Sequence, residues 1–433
     1  MCDSAIGTGK QRRLPGRLVP LLLVLTLLAA CGGADDTPGP VTTAPDPTPT
    51  VEIIEALGDF ALRGPETFGQ AVPGWQAPET PISVETVASV TELGVLDAPG
   101  RRSTVFSYDF SPDGTALAAL NNTLVIAWDL ITGTLLLNNT RQDDLRVYYS
   151  PGKDELYSVR ADGTGVIYDA ERGRETYTFR SQDAFNQQMV YDQRSGMLAV
   201  GGSDGGVRVW DMLARAAAVT LNAHNGSVAR LAFSPDGRLL ATGGDDQRVI
   251  VWDWAEREAL ATFELGARPA NLAFSSDSSL IAVGAPSFVS VWAVDGEFRY
   301  TLQTGAGGAA DVLEFSPGDR YLLTGGQIPD MIVWRVDDGE VAALLPGVGG
   351  DRVGAAFSPD GDLLLTSVLD GPVSLWDVTR IVDQTIPRAD LPLEAPRVLD
   401  VAFTPDGFQM LLFEAEGPIR VWGVPPGIET PAP

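Results

Sequence analysis

The chain has 433 residues, and its 57 acidic residues against 30 basic ones give a net charge of −27 and a pI near 4.3. Because nucleic-acid affinity depends on cations that contact phosphates, this charge excludes nucleic acid as an expected partner. The single histidine, His224, also excludes mechanisms that need two histidines or a histidine-rich metal site.

The first thirty residues have the pattern of an export signal. Four basic residues, Lys10, Arg12, Arg13 and Arg17, precede an apolar run over residues 18–28, and Leu28-Ala29-Ala30-Cys31 follows. Even when it is extended to Ala30 this run has only 13 residues. It is therefore short of the roughly 20 residues that a transmembrane helix needs.

The segment that ends at Cys31 resembles the lipobox of bacterial lipoprotein precursors, in which cleavage before the cysteine accompanies its acylation. The resemblance implies that residues 1–30 are a signal peptide and that acyl chains such as palmitate on Cys31 hold the protein at the extracytoplasmic side of a membrane. A plain secretory peptide and a transmembrane anchor are the alternatives. Cys2 leaves with the signal, so the mature chain has one thiol and no internal disulfide. Two or more acyl chains anchor stably where one does not.

Residues 31–50 are rich in Pro, Thr and Asp, which predicts an extended tether. The threonines are alternative glycan sites, although a solvated spacer is the simpler interpretation. In the extension over residues 51–80, the apolar residues from Ile53 to Ala61 have helical spacing and predict a short helix. This helix either docks on the following domain or binds a partner, and Trp75 is expected to pack against the fold.

Three short apolar runs separated by two tight turns make one unit of a repeat, seen most clearly in VARLAFSPDGRLLATGGDDQRVIVWD at residues 228–253. The runs have strand length, and the SPDG and GGDD segments between them have the composition of turns. A unit of this size has apolar faces on both sides, so it must stack on copies of itself.

Two series of aromatic residues show that there are eight such units. The aromatic before the first turn is Phe110, Tyr149, Tyr191, Phe233, Phe274, Phe315, Phe357 or Phe403. The aromatic that closes the third run is Trp128, Tyr168, Trp210, Trp252, Trp292, Trp334, Trp376 or Trp422. Members of the second series are 40 to 46 residues apart, a period typical of four-stranded propeller blades.

At these residues the chain resembles the WD-repeat β-propeller family. The dipeptide Trp-Asp closes four units, at residues 128–129, 210–211, 252–253 and 376–377, and Tyr168-Asp169 closes the second unit. The resemblance implies an all-β fold, a closed ring of four-stranded antiparallel blades. Eight blades are predicted, and seven are the alternative because the last spacing, 46 residues, is longer than the others.

In that family a histidine, a strand hydroxyl, the tryptophan and a turn aspartate form a hydrogen-bonded tetrad. Only the fourth unit has the full set, His224, Thr242, Asp246 and Trp252. Turn acids also stand six residues before the closing aromatic at Asp162, Asp204 and Asp370. We interpret all of these residues as structural.

The ends of the repeat predict how the ring closes. Pro425 and Pro426 follow the last unit and cannot continue a paired strand, because proline lacks the N–H. The last blade therefore lacks an outer strand, and the strand-like segment over residues 82–96 is predicted to donate one from residues 91–96. The predicted domains are a signal over 1–30, a tether over 31–50, an extension over 51–80, a propeller over 81–424 and a tail over 425–433.

The resemblance implies a non-enzymatic scaffold that binds a protein or peptide and needs no cofactor. The alternative is an extracytoplasmic enzyme or glycan-processing protein, in which Asp162, Asp204 and Asp370 would converge near the channel. The glycine-rich residues 201–206 are interpreted as a hairpin because no helix follows, and Asp143-Asp144 and Asp245-Asp246 lack the ligand spacing of a calcium loop. No metal is expected.

We expect a monomer that binds its partner on the face formed by the loops before each first strand and by the hairpins between second and third strands. These loops differ most between units, whereas the SPDG-like turns on the opposite face stay similar. The variable loops lie at residues 141–144, 181–186, 222–225, 266–269 and 305–309.

Overall fold

The computed structural model describes residues 52–53, 75–97, 104–140, 143–180, 188–305, 310–350, 353–393, 397–415 and 417–427. The export signal, Cys31 and the tether lie outside these described residues, so the predictions made for them stay predictions. Within the described residues no helix is long and apolar enough to cross a membrane.

The described strands form eight antiparallel sheets, here called blades 1 to 8 in chain order. Two short strands precede the first blade, β1 (Glu52–Ile53) and β2 (Thr91–Leu96). Blade 1 contains β3 (Val105–Phe110), β4 (Ala116–Asn121), β5 (Leu124–Asp129) and β6 (Leu135–Thr140). Blade 2 contains β7 (Asp144–Tyr149), β8 (Glu155–Arg160), β9 (Thr164–Asp169) and β10 (Arg174–Arg180). Blade 3 contains β11 (Met189–Asp192), β12 (Met197–Gly201), β13 (Gly206–Asp211) and β14 (Ala216–Asn222).

The second half of the ring repeats this arrangement. Blade 4 contains β15 (Val228–Phe233), β16 (Leu239–Gly244), β17 (Arg248–Asp253) and β18 (Glu258–Glu264). Blade 5 contains β19 (Asn271–Phe274), β20 (Leu280–Gly284), β21 (Phe288–Ala293) and β22 (Phe298–Gln303). Blade 6 contains β23 (Ala310–Phe315), β24 (Tyr321–Gly326), β25 (Met331–Arg335) and β26 (Val341–Leu345). Blade 7 contains β27 (Val353–Phe357), β28 (Leu363–Val368), β29 (Val373–Asp377) and β30 (Arg388–Asp390). Blade 8 contains β31 (Val398–Phe403), β32 (Gln409–Glu414) and β33 (Ile419–Gly423). Two 3-10 helices lie outside the blades, at Val87–Ser89 before β2 and at Val378–Arg380 after β29.

Blade 8 takes its outermost strand from the other end of the propeller. Strand β2 pairs antiparallel with β33, in a register that sets Glu92 opposite Trp422 and Leu96 opposite Ile419. The prediction that residues 91–96 close the ring is confirmed, and so is the eight-bladed fold over the seven-bladed alternative. The residues before β2 differ from the prediction, because Ser83–Thr86 hydrogen bonds make a turn and a 3-10 helix where a strand over 82–96 was expected.

The apolar core consists of clusters that lie between neighbouring blades. The cluster between blades 8 and 1 contains Leu96, Leu117, Trp128 and Leu411, all almost fully buried. Because each blade is covered on both faces, its middle strands are buried along nearly their whole length, as in β16 and β24. Burial of these faces, at roughly 25 cal/mol per Å² of apolar area, is the main force that holds the ring together.

The segments before the ring pack partly as predicted. The Trp75 ring lies against the backbone of Gly94 and Gly133, where a Cβ atom would collide with it, and its Nε1–H donates to the Ile131 carbonyl at 2.9 Å. The prediction that Trp75 packs against the fold is confirmed. The helix predicted from Ile53 onward is wrong at its start, because Ile53 pairs with Phe179 as part of β1. Residues 54–74 lie outside the described residues.

Five of the eight turns between first and second strands share one hydrogen-bond pattern. In blade 4 the Ser234 hydroxyl donates to Asp236 at 2.5 Å and accepts the Leu239 N–H at 2.8 Å, while Gly237 has φ +74°. The same Ser/Thr–Asp hydrogen bond recurs at 111–113, 275–277, 358–360 and 404–406. Five blades therefore present the same internally bonded turn on this face, as the repeated SPDG-like sequence predicts.

Candidate functional site

Four residues of blade 4 form a continuous hydrogen-bonded chain from the strands to the hairpin. The Trp252 Nε1–H donates to Thr242 Oγ1 at 3.1 Å, Thr242 Oγ1 lies 2.9 Å from His224 Nε2, and His224 Nδ1 lies 2.9 Å from Asp246 Oδ1. Tryptophan only donates and a carboxylate only accepts, so the direction of all three hydrogen bonds is set. Trp252 donates to Thr242, the Thr242 hydroxyl donates to His224 Nε2, and His224 carries its proton on Nδ1 and donates it to Asp246.

Asp246 anchors the loop that carries the histidine. Burial by itself would raise the pKa of this carboxyl, but the Asn225 backbone N–H, His224 and Arg248 outweigh it and hold the pKa below its usual value. The Asn225 N–H and Arg248 Nη2 both donate to Asp246 Oδ2 at 3.0 Å. The structure thus brings together the four residues that the sequence selects as a tetrad, and each one bonds to a neighbour in the chain.

His224→Ala is expected to lower the free energy of unfolding by about 1–3 kcal/mol, because Thr242 and Asp246 lose a buried partner. Chemical denaturation measures this loss. Asn225→Ala is the control, since the Asn225 side chain is exposed and only its backbone N–H is used, and it should cost less than about 0.5 kcal/mol. A loss of binding or activity in His224→Ala at unchanged stability would contradict the structural role.

Two further blades keep part of the tetrad. Trp334 donates to Thr324 and Trp376 donates to Thr366, each at 2.8 Å. In both cases the threonine stands ten residues before the tryptophan, as Thr242 does before Trp252. At this position blades 1, 3, 5 and 8 have Ala118, Val200, Ala282 and Leu412. Thr324 and Thr366 were missed in the sequence, although a search for a threonine ten residues before each closing tryptophan would have identified them.

Blade 2 replaces the histidine by a buried carboxylate. Asp144 is fully buried and accepts from the Ser158 hydroxyl at 2.5 Å and from Arg160 Nε at 3.3 Å. Ser158 stands ten residues before Tyr168, in the place of the threonine. Asp144 is therefore tied to a serine and an arginine inside the blade. The described residues contain no group of three or more His, Cys, Asp or Glu that could hold a metal.

The three other turn acids each have local partners. Asp162 accepts the Thr164 N–H at 2.9 Å. Asp204 pairs with Arg208 at 2.8 Å, and that arginine lowers its pKa to about 2. Asp370 pairs with Arg397 at 3.0 Å. They serve separate hairpins, and the contacts given among the described residues do not join them to one another.

The loops of the predicted binding face are tied to the neighbouring hairpins where they are described. The His224 N–H donates to the Gly205 carbonyl at 3.0 Å, and Arg268 pairs with Asp245 at 2.6 Å. Loop residues 141–142, 181–186 and 306–309 lie outside the described residues. The described part of this face is thus a set of loops of different sequence, each held by its own contacts.

The first strands of several blades carry buried carboxyls that were missed in the sequence. Asp109 Oδ2 accepts the Tyr149 backbone N–H of blade 2 at 2.8 Å and the Gln193 amide of blade 3 at 3.4 Å. Burial raises the pKa of Asp109 to about 7, against the opposing effect of the backbone N–H groups of Tyr149 and Phe110. One acid of blade 1 thereby connects three blades.

Two more buried acids stand on the first strands of blades 6 and 8. Burial raises the pKa of Glu314 to about 7, although it accepts a backbone hydrogen bond from Phe357 of the next blade. Asp400 accepts the Tyr108 hydroxyl at 3.1 Å, and burial also raises its pKa. Their common sequence signal is an acid within three residues before the first aromatic of the unit.

The geometry defines the class of protein, an eight-bladed β-propeller with four-stranded antiparallel blades. Within this class, the sequence profile described as "WD domain, G-beta repeat" matches residues 217–253. The matched segment comprises most of outer strand β14 of blade 3 and the three inner strands of blade 4. One sequence repeat therefore begins in the outer strand of one blade and ends in the third strand of the next. This offset leaves the last blade without an outer strand of its own, which β2 supplies. The matched segment also includes the complete tetrad.

Comparisons with other proteins agree on the fold. Transducin beta-like protein 3 of Bos taurus is 25% identical over 164 residues, which are 36% of this chain and 20% of that protein. The chain thus matches about a fifth of the length of this curated relative. The computationally designed Ika8 protein has a TM-score of 0.62 and 20% identity, over 76% of this chain and 99% of that one. The C-terminal WD40 domain of Sif2 has the same TM-score and coverage at 12% identity.

Proposed function

We propose that the protein is a lipid-anchored, extracytoplasmic WD-repeat scaffold that binds a protein partner without catalysing a reaction. The observation that carries the proposal is the combination of a propeller containing a WD40 repeat with the sequence Leu28-Ala29-Ala30-Cys31 behind a basic and apolar leader. The leader supports export, and the proline-rich residues between Cys31 and the ring support a tether that separates the propeller from the lipid.

The partner is proposed to bind the face with the variable loops. The opposite face repeats one turn in five blades with the same internal hydrogen bonds, so it offers little to distinguish one blade from another. The variable face presents a different sequence from every blade on a rigid support, which is the usual arrangement of recognition loops. With Cys31 at its N-terminus the mature chain has a charge of −30, because the first thirty residues contain four basic residues and one acidic residue. A basic partner whose binding weakens with salt is therefore expected.

Cys31→Ala tests the anchor. We expect this variant to lose membrane association almost completely or to accumulate as the uncleaved precursor, because the substitution removes the acylated thiol. Fractionation of membranes and intact-mass measurement of the mature N-terminus provide the readouts. Cys2→Ala is the matched control and should stay membrane-bound. An unmodified Cys31, or a native N-terminus beyond it, would contradict the proposal.

A further inference from the structure

A cavity of about 510 Å³ lies in the wall of the channel, where the inner strands of blades 1, 2, 3 and 8 approach one another. Its volume lies within the range of small-molecule sites in proteins. The lining residues used below are Phe106, Tyr108, Arg146, Tyr148, Tyr191 and Asp400. None of them belongs to the tetrad or to the variable loops.

Five of the eleven residues that line this cavity are aromatic. Tyr108 stacks on Phe413 with ring centroids 4.1 Å apart, and Tyr148 packs on Tyr191 at 4.9 Å. Phe106, on the first strand of blade 1, also lines the cavity and is 39% exposed. Such walls favour a flat apolar body, because stacking adds to the gain from burying its surface.

The cavity also contains an arginine without a carboxylate partner. Arg146 Nη1 donates to the Leu145 carbonyl at 3.0 Å, and Arg146 makes no ion pair with any described acid. The one acid among the lining residues, Asp400, is already bonded to Tyr108, and burial raises its pKa, which reduces its charge. In addition, the Tyr191 hydroxyl is buried and has no hydrogen-bond partner.

We propose that this cavity binds a carboxylate that is carried on an aromatic body. The guanidinium of Arg146 pairs with the carboxylate, since its planar fork fits two carboxylate oxygens, and the tyrosine and phenylalanine rings hold the aromatic body. The carboxylate has two sources, a free aryl acid or the C-terminal residue of a peptide. This site goes beyond the proposed scaffold function and depends on neither the lipid anchor nor the variable face.

Calorimetric titration of the purified full-length protein tests the proposal. The probes are 4-hydroxybenzoate and the dipeptide Gly-Phe, each compared with its amide, 4-hydroxybenzamide or Gly-Phe-amide. We expect at least one acid to bind at least tenfold more tightly than its amide. Binding by 4-hydroxybenzoate alone identifies a free acid, and binding by Gly-Phe alone identifies a peptide C-terminus.

Arg146→Leu should weaken this binding at least tenfold, and Arg146→Lys should retain part of it. Arg238→Leu, an exposed arginine on the SPDG turn of blade 4, is the matched control and should bind like the wild type. The thermal unfolding of each variant is measured in parallel, so a folding defect is separated from a binding defect. Equal binding of acids and amides, no binding of either acid at 10 mM, or unchanged binding in a folded Arg146→Leu would overturn the proposal.

Discussion

Leu96→Ala is expected to lower the free energy of unfolding by about 2–5 kcal/mol, the range for truncating a fully buried leucine. Leu96 is 1% exposed and packs in the cluster that joins blade 8 to blade 1. Because it lies on β2, the strand from the start of the propeller that pairs with the last blade, its loss should weaken ring closure as well as local packing. Denaturant unfolding gives the magnitude, and hydrogen exchange in β33 reports the opening.

The matched control for this prediction lies on the same strand. Glu92 pairs with Arg420 at 2.9 Å, but both side chains are about one-third exposed, so Glu92→Ala should cost no more than about 1 kcal/mol. Similar small losses for both variants, with β33 still protected in Leu96→Ala, would show that β2 contributes little to closure.

The wild-type protein is expected to lose folding free energy as the pH rises from 5 to 8, because Asp109 ionises in this interval. In Asp109→Asn this loss should be smaller by about 1–3 kcal/mol. The folded pKa of Asp109, about 7, is above the ordinary value of 3.8, so the folded state binds the proton more tightly than the unfolded state does. The resulting stabilisation is complete below about pH 4 and is lost as the pH rises through 7. The full difference corresponds to roughly 4 kcal/mol, an upper bound because the channel admits solvent. Asparagine can still accept the Tyr149 N–H but does not ionise.

Asp204→Asn provides the control of opposite sign. The Arg208 ion pair holds the pKa of Asp204 at about 2, so any stability that it contributes is present above its ordinary pKa and is lost only as the pH falls toward 2. Its variant should therefore follow the wild-type pH dependence between pH 5 and pH 8. The explanation fails if Asp109→Asn loses as much stability as the wild type over this interval.

The repeat and its closure could be predicted because they are encoded locally. Each blade carries its own turn residues and closing aromatic, and the proline pair after Trp422 shows that the last blade lacks a strand. Even the irregularity of the donated strand follows the repeat. In β2, Leu93 has no partner in β33, and this β-bulge lies beside the pair formed by Glu92 and Trp422. The same bulge lies beside Trp128 and Trp252, in blades whose outer strand directly follows the third strand in the sequence.

The channel could not be predicted in the same way. Tyr108, Arg146, Tyr191 and Asp400 come from four blades and meet only because the ring closes, so no local pattern places them in one cavity. Their strands are covered on both sides, and an isolated charge in such a strand looks like a simple break in an apolar run. The tetrad is the opposite case, since its four residues lie within one repeat and have a fixed spacing.

The central claim is that a partner binds the variable face of a membrane-held propeller, and site-specific photo-crosslinking in native membranes tests it most directly. One variant carries the crosslinker at Asn225, in the loop before β15, and the other carries it at Arg238, in the turn after the same strand. Both positions are exposed and belong to blade 4, so they differ mainly in the face that they occupy. We predict a discrete crosslinked protein at Asn225, reduced by high salt, and none at Arg238. A discrete product at Arg238 alone, or none at either position, would contradict the claim.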